Sequence, residues 1–239
     1  MFRKTVYNFL KHTMEKDTPQ KDKIRRATLE YLHEFFLARK VKEIKFLTLP
    51  GTEWIFERAM RTRFHTYSQH RIITTITACE RDYKVFTISA AKMPGSNRIL
   101  APRFSDKLNH YVVTNHKEKV YLLHMDVFDL LSMFKDNIKD KRSVFDCIWL
   151  DSTNTVISIG RKIEGWENKL APNAVVILTV LKGREHVKLE TDRVTYISNI
   201  LAKYDLKLVH QWEYFDTSPM LHLIFTKEQQ LPELDQIIA

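Results

Sequence analysis

The sequence VKEIKFLTLPGTEW, residues 41–54, has the form of an apolar strand, a tight Pro50-Gly51 turn and the start of a helix near Thr52. The next strand-like run, RIITTITACE at residues 71–80, is rich in β-branched side chains and ends in the carboxylate of Glu80. A strand, turn and helix in this order aim backbone N–H groups at a ligand, and an acidic residue ending the following strand can accept ribose hydroxyls. The two runs predict the opening of a nucleotide-binding α/β fold.

The rest of the chain alternates helical and strand patterns. Helices are predicted over 25–39, 52–60 (capped by Thr52), 83–93, 155–170 and 193–204, and strands over 44–49, 71–80, 120–126, 145–151 and 174–180. A short strand is also expected at 111–114. Five strands alternating with helices predict a parallel sheet with helices on both faces. The last two predicted strands, 207–214 and 220–226, have so short a connection that they must be antiparallel neighbours.

The helix predicted over 155–170 has the most regular amphipathic pattern in the chain. Its apolar stripe consists of Val156, Ile159, Ile163, Trp166 and Leu170. This spacing is typical of a helix that buries one face against a sheet. We therefore expect a long helix directly after the strand that ends at Asp151.

In element order and in the residues at the strand ends, the chain resembles the class I S-adenosylmethionine-dependent methyltransferases over residues 25–227. The resemblance implies an α/β fold with a seven-stranded, mostly parallel sheet, helices on both faces and a C-terminal antiparallel hairpin. It also implies S-adenosylmethionine as the cofactor. Ligands of open α/β sheets bind beyond the carboxyl ends of the strands, where all the matching residues lie.

The resemblance assigns site residues position by position. The first loop, 48–53, should lie against the methionine end of the cofactor, Glu80 should hold the ribose hydroxyls, and Asp126 should contact the adenine. The segment 151–154 should face the reactive methyl group, with Asp151 and Asn154 as the candidate catalytic residues. The implied cofactor-binding residues are Leu49, Pro50, Gly51, Thr52, Glu80, Arg81, Asp126, Val127 and Asp151.

Plainer structural roles remain open for the three acids. Glu80 could pair with Arg81 or Lys84, and Asp126 could cap a helix at 127–134. Asp151 could be a cap or turn residue.

The sequence departs from the family pattern in two places. The first loop has a single glycine, although family members have two or three. The catalytic tetrad of the RNA ribose methyltransferases is incomplete, because Thr179 stands where a lysine is expected. Lys182 and Glu213 are possible substitutes in that tetrad.

Positive charge is concentrated in two parts of the chain. The net charge is +9, and residues 3–26 hold eight Lys/Arg against three acids, with a second basic stretch at 92–119. Such segments suit phosphate backbones, although an ordinary solvated surface is the alternative. We expect nucleic acid as the partner, RNA rather than DNA. The candidate substrate-binding residues are Lys21, Lys23, Arg25, Arg26, Arg98, Arg103 and Lys182.

Composition and motifs set further expectations. The sequence divides into a basic helical N-terminal extension at 1–40, a methyltransferase-like domain at 41–228 with an insertion near 92–119, and a tail at 229–239. No apolar run approaches the roughly 18 residues that cross a membrane. Cys79 and Cys147 lie in apolar strands, which favours reduced thiols in an intracellular, cytoplasmic protein. The spacing of Cys and His predicts no metal site.

The leading hypothesis is an S-adenosylmethionine-dependent methyltransferase acting on nucleic acid, with RNA as the expected acceptor. Methyl transfer mainly requires positioning, so a catalytic base is not obligatory. Two alternatives stay open: a catalytically degenerate methyltransferase fold that binds nucleic acid or serves assembly, and a dinucleotide-dependent oxidoreductase. The absence of Gly-x-Gly-x-x-Gly counts against the oxidoreductase.

Overall fold

A central sheet with helices on both faces forms the framework of the protein. The computed structural model describes residues 18–66, 72–93, 98–99, 110–114, 118–133, 144–163, 165–182 and 191–227. Arg103, residues 3–17 of the first basic stretch and the predicted tail at 229–239 lie outside the described residues.

Nine strands are present in the described part of the chain: β1 Glu43–Thr48, β2 Ile73–Glu80, β3 Arg98–Ile99, β4 His110–Thr114, β5 Glu118–His124, β6 Phe145–Thr155, β7 Leu170–Leu181, β8 Lys207–Phe215 and β9 Pro219–Thr226. Their order across the sheet is β3-β4-β5-β2-β1-β6-β7-β9-β8. The strands β5, β2, β1, β6 and β7 are mutually parallel, as predicted. The closing hairpin is antiparallel, also as predicted, with β9 pairing β7 and β8.

The predicted number of seven strands was wrong. The two additional strands, β3 and β4, come from the 92–119 insertion and pair antiparallel with each other and with β5. They extend the edge of the sheet beyond β5, which would otherwise expose its unpaired backbone groups. The 111–114 strand was predicted and occurs as β4, which pairs with β5, the next strand along the chain.

Six α-helices are described: α1 Pro19–Ala38, α2 Ile55–Thr66, α3 Tyr83–Lys92, α4 Val127–Met133, α5 Val156–Gly160 and α6 Arg193–Ala202. Buried side chains of α1, α2 and α3 form one core cluster, and those of α4, α5 and α6 form another. The neighbouring residues Phe46 and Leu47 of β1 belong to different clusters, because successive strand side chains point to opposite faces. Each face of the sheet is therefore covered by three of the described helices.

Helix α1 lies within the segment predicted as an N-terminal extension. The Thr18 hydroxyl caps it by accepting a hydrogen bond from Lys21 N at 3.3 Å, and Pro19 occupies the first turn, where its missing N–H has no consequence. Leu32, Phe35 and Phe36 of this helix are fully buried in the same core cluster as β1 and α2. Helix α1 is thus packed on the sheet.

The long helix predicted over 155–170 was wrong. Helix α5 ends at Gly160, a 3₁₀ turn covers Glu167–Lys169, and Leu170 opens β7. Gly165 has φ 85°, in the left-handed region that a continuous right-handed helix excludes. All five residues of the predicted stripe are nevertheless buried. The apolar spacing therefore predicted burial correctly and secondary structure incorrectly.

Candidate cofactor site

A cavity of about 260 Å³ lies at the carboxyl ends of the adjacent strands β5, β2, β1 and β6. Parallel strands end at the same edge of a sheet, so residues far apart in sequence meet there. Nine of the residues predicted for cofactor binding or catalysis line this cavity: Leu49, Pro50, Gly51, Glu80, Arg81, Asp126, Val127, Asp151 and Asn154. Thr52 is buried beside the turn and is not part of the lining.

The turn after β1 keeps its shape with a single glycine. Gly51 has φ 57°, and Trp54, directly before α2, has φ 54°. A tryptophan rarely adopts this conformation, and contacts with α3 hold it in place. Its indole Nε1 donates to the Ser89 carbonyl at 2.8 Å, and the Ser89 hydroxyl donates to the Gly51 carbonyl at 2.8 Å. The prediction that Thr52 caps α2 was wrong, because this turn delays the start of α2 to Ile55.

Glu80 ends β2 at the floor of the cavity. Its Oε1 accepts a hydrogen bond from the backbone N–H of Asp82 at 2.8 Å, which fixes the carboxylate next to the cavity. Burial raises the pKa of Glu80, and this hydrogen bond partly opposes the increase. A carboxylate oriented in this way can accept two hydroxyl hydrogen bonds from a ligand.

Asp126 follows β5 and has two structural contacts. Its Oδ1 accepts from Phe128 N at 2.9 Å, which confirms the predicted capping of α4. Its Oδ2 lies 3.7 Å from Arg81 Nη1, and the Arg81 side chain is largely exposed. The capping role and the position in the cavity wall are therefore compatible.

Asp151 lies at the opposite side of the cavity and contacts helix α1. Its Oδ2 is 3.3 Å from Lys21 Nζ and 3.5 Å from Arg25 Nη2, and Lys21 also lies 3.7 Å from Asp216. Only 13% of the Lys21 side chain and 8% of the Arg25 side chain are exposed. Asp151 does not cap α5, because Thr155 does so by accepting from Ser158 N at 3.3 Å.

The remaining cations predicted to bind substrate have varied surroundings. Arg26 is exposed and pairs with Asp22 at 2.8 Å, and Lys182 pairs with Glu213. Lys23 is exposed on α1. Arg98 lies in the short edge strand β3, where only its backbone is described. Lys21 and Arg25 differ from these residues, because both are largely buried and contact Asp151.

A buried histidine lies behind Asp151. His222 of β9 lies 3.0 Å from the Thr28 hydroxyl through Nε2 and 2.9 Å from the Thr179 hydroxyl through Nδ1. Because Thr28 donates its own proton to the Ile24 carbonyl, it accepts from His222 Nε2–H, and Nδ1 accepts from Thr179. Burial lowers the pKa of His222 to about 3, a change that nearby Asp151 opposes and Arg25 reinforces. This neutral histidine connects α1 to β7 and β9.

Glu57 and Trp149 are among the residues of the cavity wall that sequence reasoning missed. Arg25 was predicted to bind substrate, and Thr48 lies in the first loop that was predicted to lie against the cofactor. Glu57 lies beside the apolar stripe of α2, where a charged residue is expected to face water. It is instead buried and accepts a hydrogen bond from the Thr48 hydroxyl at 2.8 Å. No local signal distinguishes such a carboxylate from an exposed one.

Two kinds of feature are absent from the residues that the structure describes. They contain no group of three His, Cys, Asp or Glu side chains that could hold a metal ion. Within the same ranges, no helix is long and apolar enough to cross a membrane. The cavity is lined by the acidic residues Glu80, Asp126 and Asp151 and by two arginines, so its wall offers both hydrogen-bond acceptors and donors to a polar ligand.

Comparison with solved structures defines the class of fold. A protein from Listeria monocytogenes assigned to the class I S-adenosylmethionine-dependent methyltransferases superposes with a TM-score of 0.54 and 12% identity, over 87% of this chain and 60% of that one. Trm1 from Pyrococcus horikoshii, solved with S-adenosyl-L-methionine, has a TM-score of 0.51 and 12% identity, over 89% and 56% of the two chains. The fold is that of the class I methyltransferases, as the sequence predicted.

The chain spans somewhat more than half the length of these two proteins. No protein-family model and no curated protein sequence matches it. The similarity therefore lies in the arrangement of strands and helices.

Proposed function

We propose that the protein is an S-adenosylmethionine-dependent methyltransferase whose acceptor is nucleic acid, RNA in particular. The observation that carries the proposal is the cavity at the ends of β5, β2, β1 and β6, which nine of the predicted site residues line. Open α/β sheets bind their ligands in this crevice. The shared class I methyltransferase fold supports the same cofactor.

The chain offers a suitable contact for each part of the cofactor. The Glu80 carboxylate is oriented to accept the ribose hydroxyls, and Asp126 with Val127 borders the place for the adenine. The backbone of the Pro50-Gly51 turn forms the wall beside them. When bound, S-adenosylmethionine supplies an activated methyl group for transfer to a nucleophile.

Asp151 and Asn154 are proposed to orient the methyl acceptor. Both line the cavity, and Lys21 and Arg25 fix the Asp151 carboxylate from α1. Held in this way, Asp151 can accept a hydrogen bond from the acceptor and direct the acceptor lone pair at the methyl group. Correct positioning alone can account for a large part of the rate enhancement of such a reaction.

Nucleic acid is favoured as the partner by charge. The net charge is +9, and the basic N-terminal stretch leads directly into α1, which lies at the cavity. Because Lys21 and Arg25 contact Asp151, the exposed residues Lys23 and Arg26 are the α1 side chains proposed to contact phosphate. Such contacts weaken steeply as salt concentration rises.

Isothermal titration calorimetry with S-adenosylhomocysteine tests the cofactor assignment. Glu80→Gln keeps the shape of the side chain and removes its charge, so we expect affinity to fall roughly tenfold or more. Glu34→Gln, the same change at an exposed position of α1, should leave affinity unchanged. Failure of the wild-type protein to bind S-adenosylhomocysteine would refute the cofactor assignment.

A transfer assay tests the acceptor. Tritium-labelled S-adenosylmethionine is incubated with the protein and with pooled RNA or DNA of matched lengths, and label is expected in RNA that becomes soluble on ribonuclease treatment. Asp151→Asn should reduce this incorporation while cofactor binding persists. Nucleic-acid binding without cofactor binding would instead identify a degenerate, non-enzymatic member of the fold.

A further inference from the structure

Phe215 is one of three large apolar residues that are exposed in the described part of the chain. It is 61% exposed, and the other two are Ile73 and Tyr83. The ring of Tyr83 packs near Phe86 and His124, at centroid distances of 6.3 and 5.3 Å. The Phe215 ring has no aromatic neighbour within the described ranges. Most of its surface is therefore available to another molecule.

The turn that carries Phe215 is fixed to the rest of the protein on two sides. Phe215 ends β8 and pairs with Pro219, the first residue of β9. Its backbone N–H donates to Gln20 Oε1 of α1 at 3.4 Å, and the carboxylate of the next residue, Asp216, lies 3.7 Å from Lys21 Nζ. A ligand of the Phe215 ring would therefore meet a preorganised backbone, which lowers the entropic cost of binding.

Phe215 lies at the same edge of the sheet as the cavity. Lys21 contacts both Asp151 and Asp216, so the end of the β8–β9 hairpin lies on the Asp151 side of the cavity. The strand order β6-β7-β9-β8 puts three strand spacings, or about 14 Å, between β6 and β8. Stacked nucleotides of one strand are about 3.4 Å apart, so about four of them span this distance. A strand whose acceptor nucleotide lies at Asp151 can thus reach Phe215.

A cation lies beside Phe215 on the same face of β8. Phe215 and Glu213 are two positions apart in a regular part of the strand, so their side chains point to the same face. Glu213 pairs with Lys182, which directly follows β7, and both side chains are exposed. Exposed ion pairs contribute little free energy, so a phosphate can compete for the lysine. An exposed ring next to a cation suits a nucleotide, which has a base that stacks and an anionic phosphate.

We propose that Phe215 is a substrate-binding residue that stacks on an unpaired base of the RNA, a few nucleotides from the acceptor, while Lys182 contacts phosphate. This inference rests on the proposed function, which places the acceptor at Asp151. Stacking is tolerant of sequence, because every base has a π-face. It requires a base whose face is accessible, so Phe215 selects single-stranded RNA.

The test compares two RNA probes that differ only in their bases. One is a short, fluorescein-labelled single-stranded RNA of mixed sequence, and the other is an abasic RNA of the same length, which keeps the phosphates and lacks the bases. Fluorescence anisotropy measures the affinity of each probe. We expect Phe215→Ala to weaken binding of the base-containing RNA roughly fivefold to tenfold and binding of the abasic RNA less than about twofold.

Matched variants separate stacking from other effects. Phe215→Trp keeps an aromatic ring and should bind the base-containing RNA at least as tightly as the wild-type protein, whereas Phe215→Leu keeps apolar surface without a ring and should bind weakly. Ile73→Ala, at an exposed apolar position where β2 begins, should change neither affinity. Lys182→Gln removes a phosphate contact and should weaken both probes to a similar extent. Thermal unfolding of each variant confirms that the folded protein is being titrated.

The outcomes separate this inference from the proposed function. If the wild-type protein binds neither probe, the proposed acceptor fails together with this inference, and calorimetry with S-adenosylhomocysteine decides independently whether the cofactor assignment stands. If the wild-type protein binds the base-containing RNA, and Phe215→Ala lowers both affinities equally or leaves both unchanged, the proposed acceptor stands and the role of Phe215 is refuted. Self-association that sedimentation velocity detects in the wild-type protein and not in Phe215→Ala would also overturn the inference, because the ring would then belong to a contact between two copies of the chain.

Discussion

Arg25 Nη2 of α1 lies 3.5 Å from Asp151 Oδ2 in the C-terminal half of β6. The two residues are 126 positions apart, and Lys21, one helical turn earlier, contacts the same carboxylate oxygen. Lys21 and Arg25 were expected to bind the phosphate groups of a nucleic acid. They instead contact the carboxylate of Asp151 in the wall of the cavity. Helix α1 therefore contributes to the site itself.

Replacing Arg25 by Met should destabilise the protein more than the same change at Arg26. Arg25 is nearly buried against Asp151, so its loss removes a charge from a partly desolvated pair, and we expect a decrease of about 1–3 kcal/mol in the free energy of unfolding. The Arg26 side chain is 78% exposed and pairs with Asp22 across one helical turn, so its loss should cost less than about 0.5 kcal/mol. Urea denaturation measures both. Equal effects would show that the contact with Asp151 adds no stability.

His222 should make the protein less stable in acid. Its pKa is about 3 in the folded protein and about 6.5 when unfolded, so the unfolded chain binds the additional proton between these values. The neutral imidazole makes its full contribution to the free energy of unfolding above pH 6.5. This contribution is lost as the pH falls toward 3, by at most about 1.4 kcal/mol per pH unit.

The substitution His222→Gln removes the titrating group and should therefore reduce the dependence of the free energy of unfolding on pH. Comparing unfolding free energies of the wild-type protein and this variant between pH 4 and pH 7 isolates the histidine, because the carboxylates titrate in both. Parallel pH profiles would contradict the assignment of a buried neutral His222.

Gly160 should not tolerate a methyl group. A Cβ built at this position would lie 2.8 Å from Ile200 Cδ1 and 2.8 Å from Tyr196 Cε1, both on the facing helix α6. Gly160→Ala therefore requires the side-chain ends of Ile200 and Tyr196 to shift, and we expect the free energy of unfolding to fall by about 1 kcal/mol. Ser158→Ala, in the same helix, serves as the control and should change stability by less than about 0.5 kcal/mol. Denaturant unfolding is the measurement, and a neutral or stabilising Gly160→Ala would contradict this packing.

Asp82→Ala should separate stability from ligand affinity. The Asp82 carboxylate caps α3 by accepting from Lys84 N and Val85 N, so the variant should lose about 1 kcal/mol of stability. The backbone N–H of residue 82, which orients Glu80, is retained in alanine. Binding of S-adenosylhomocysteine should therefore change little, and a large loss would mean that the Asp82 side chain itself contributes to the ligand site.

Much of the sheet could be predicted from sequence. The strand predicted at 71–80 occurs as β2 over Ile73–Glu80, and the strands predicted at 207–214 and 220–226 occur as the closing hairpin. Glu80 ends β2, Asp126 follows β5 and Asp151 lies in the C-terminal half of β6, so the three acids lie around one cavity at the same edge of the sheet. Strand ends are local signals, and the parallel order of the strands then brings the three acids together.

Local patterns were insufficient where a turn or a distant partner decided the structure. The apolar spacing at 156–170 suits a helix, but Gly165 and the pairing of Leu170 with β6 divide the segment into a short helix, a 3₁₀ turn and a strand. The edge strand β3 was not predicted, and β4, although predicted at 111–114, was not counted in the seven-stranded sheet. Strand β4 pairs with β5 and β3 pairs with β4, and neither pairing is visible in the periodicity of the strands themselves.

The sequence by itself determined the order of the elements, the identity of the residues at the strand ends and the class of fold, because hydrophobic periodicity and turn residues act over a few positions. Only the tertiary structure decided which side chains meet between elements. It turned Arg25 toward Asp151, buried Glu57 beneath Thr48 and enclosed His222 between Thr28 and Thr179. These contacts depend on how α1 and α2 pack on the sheet that contains β9. Contacts between separate elements produce no periodic pattern in the sequence.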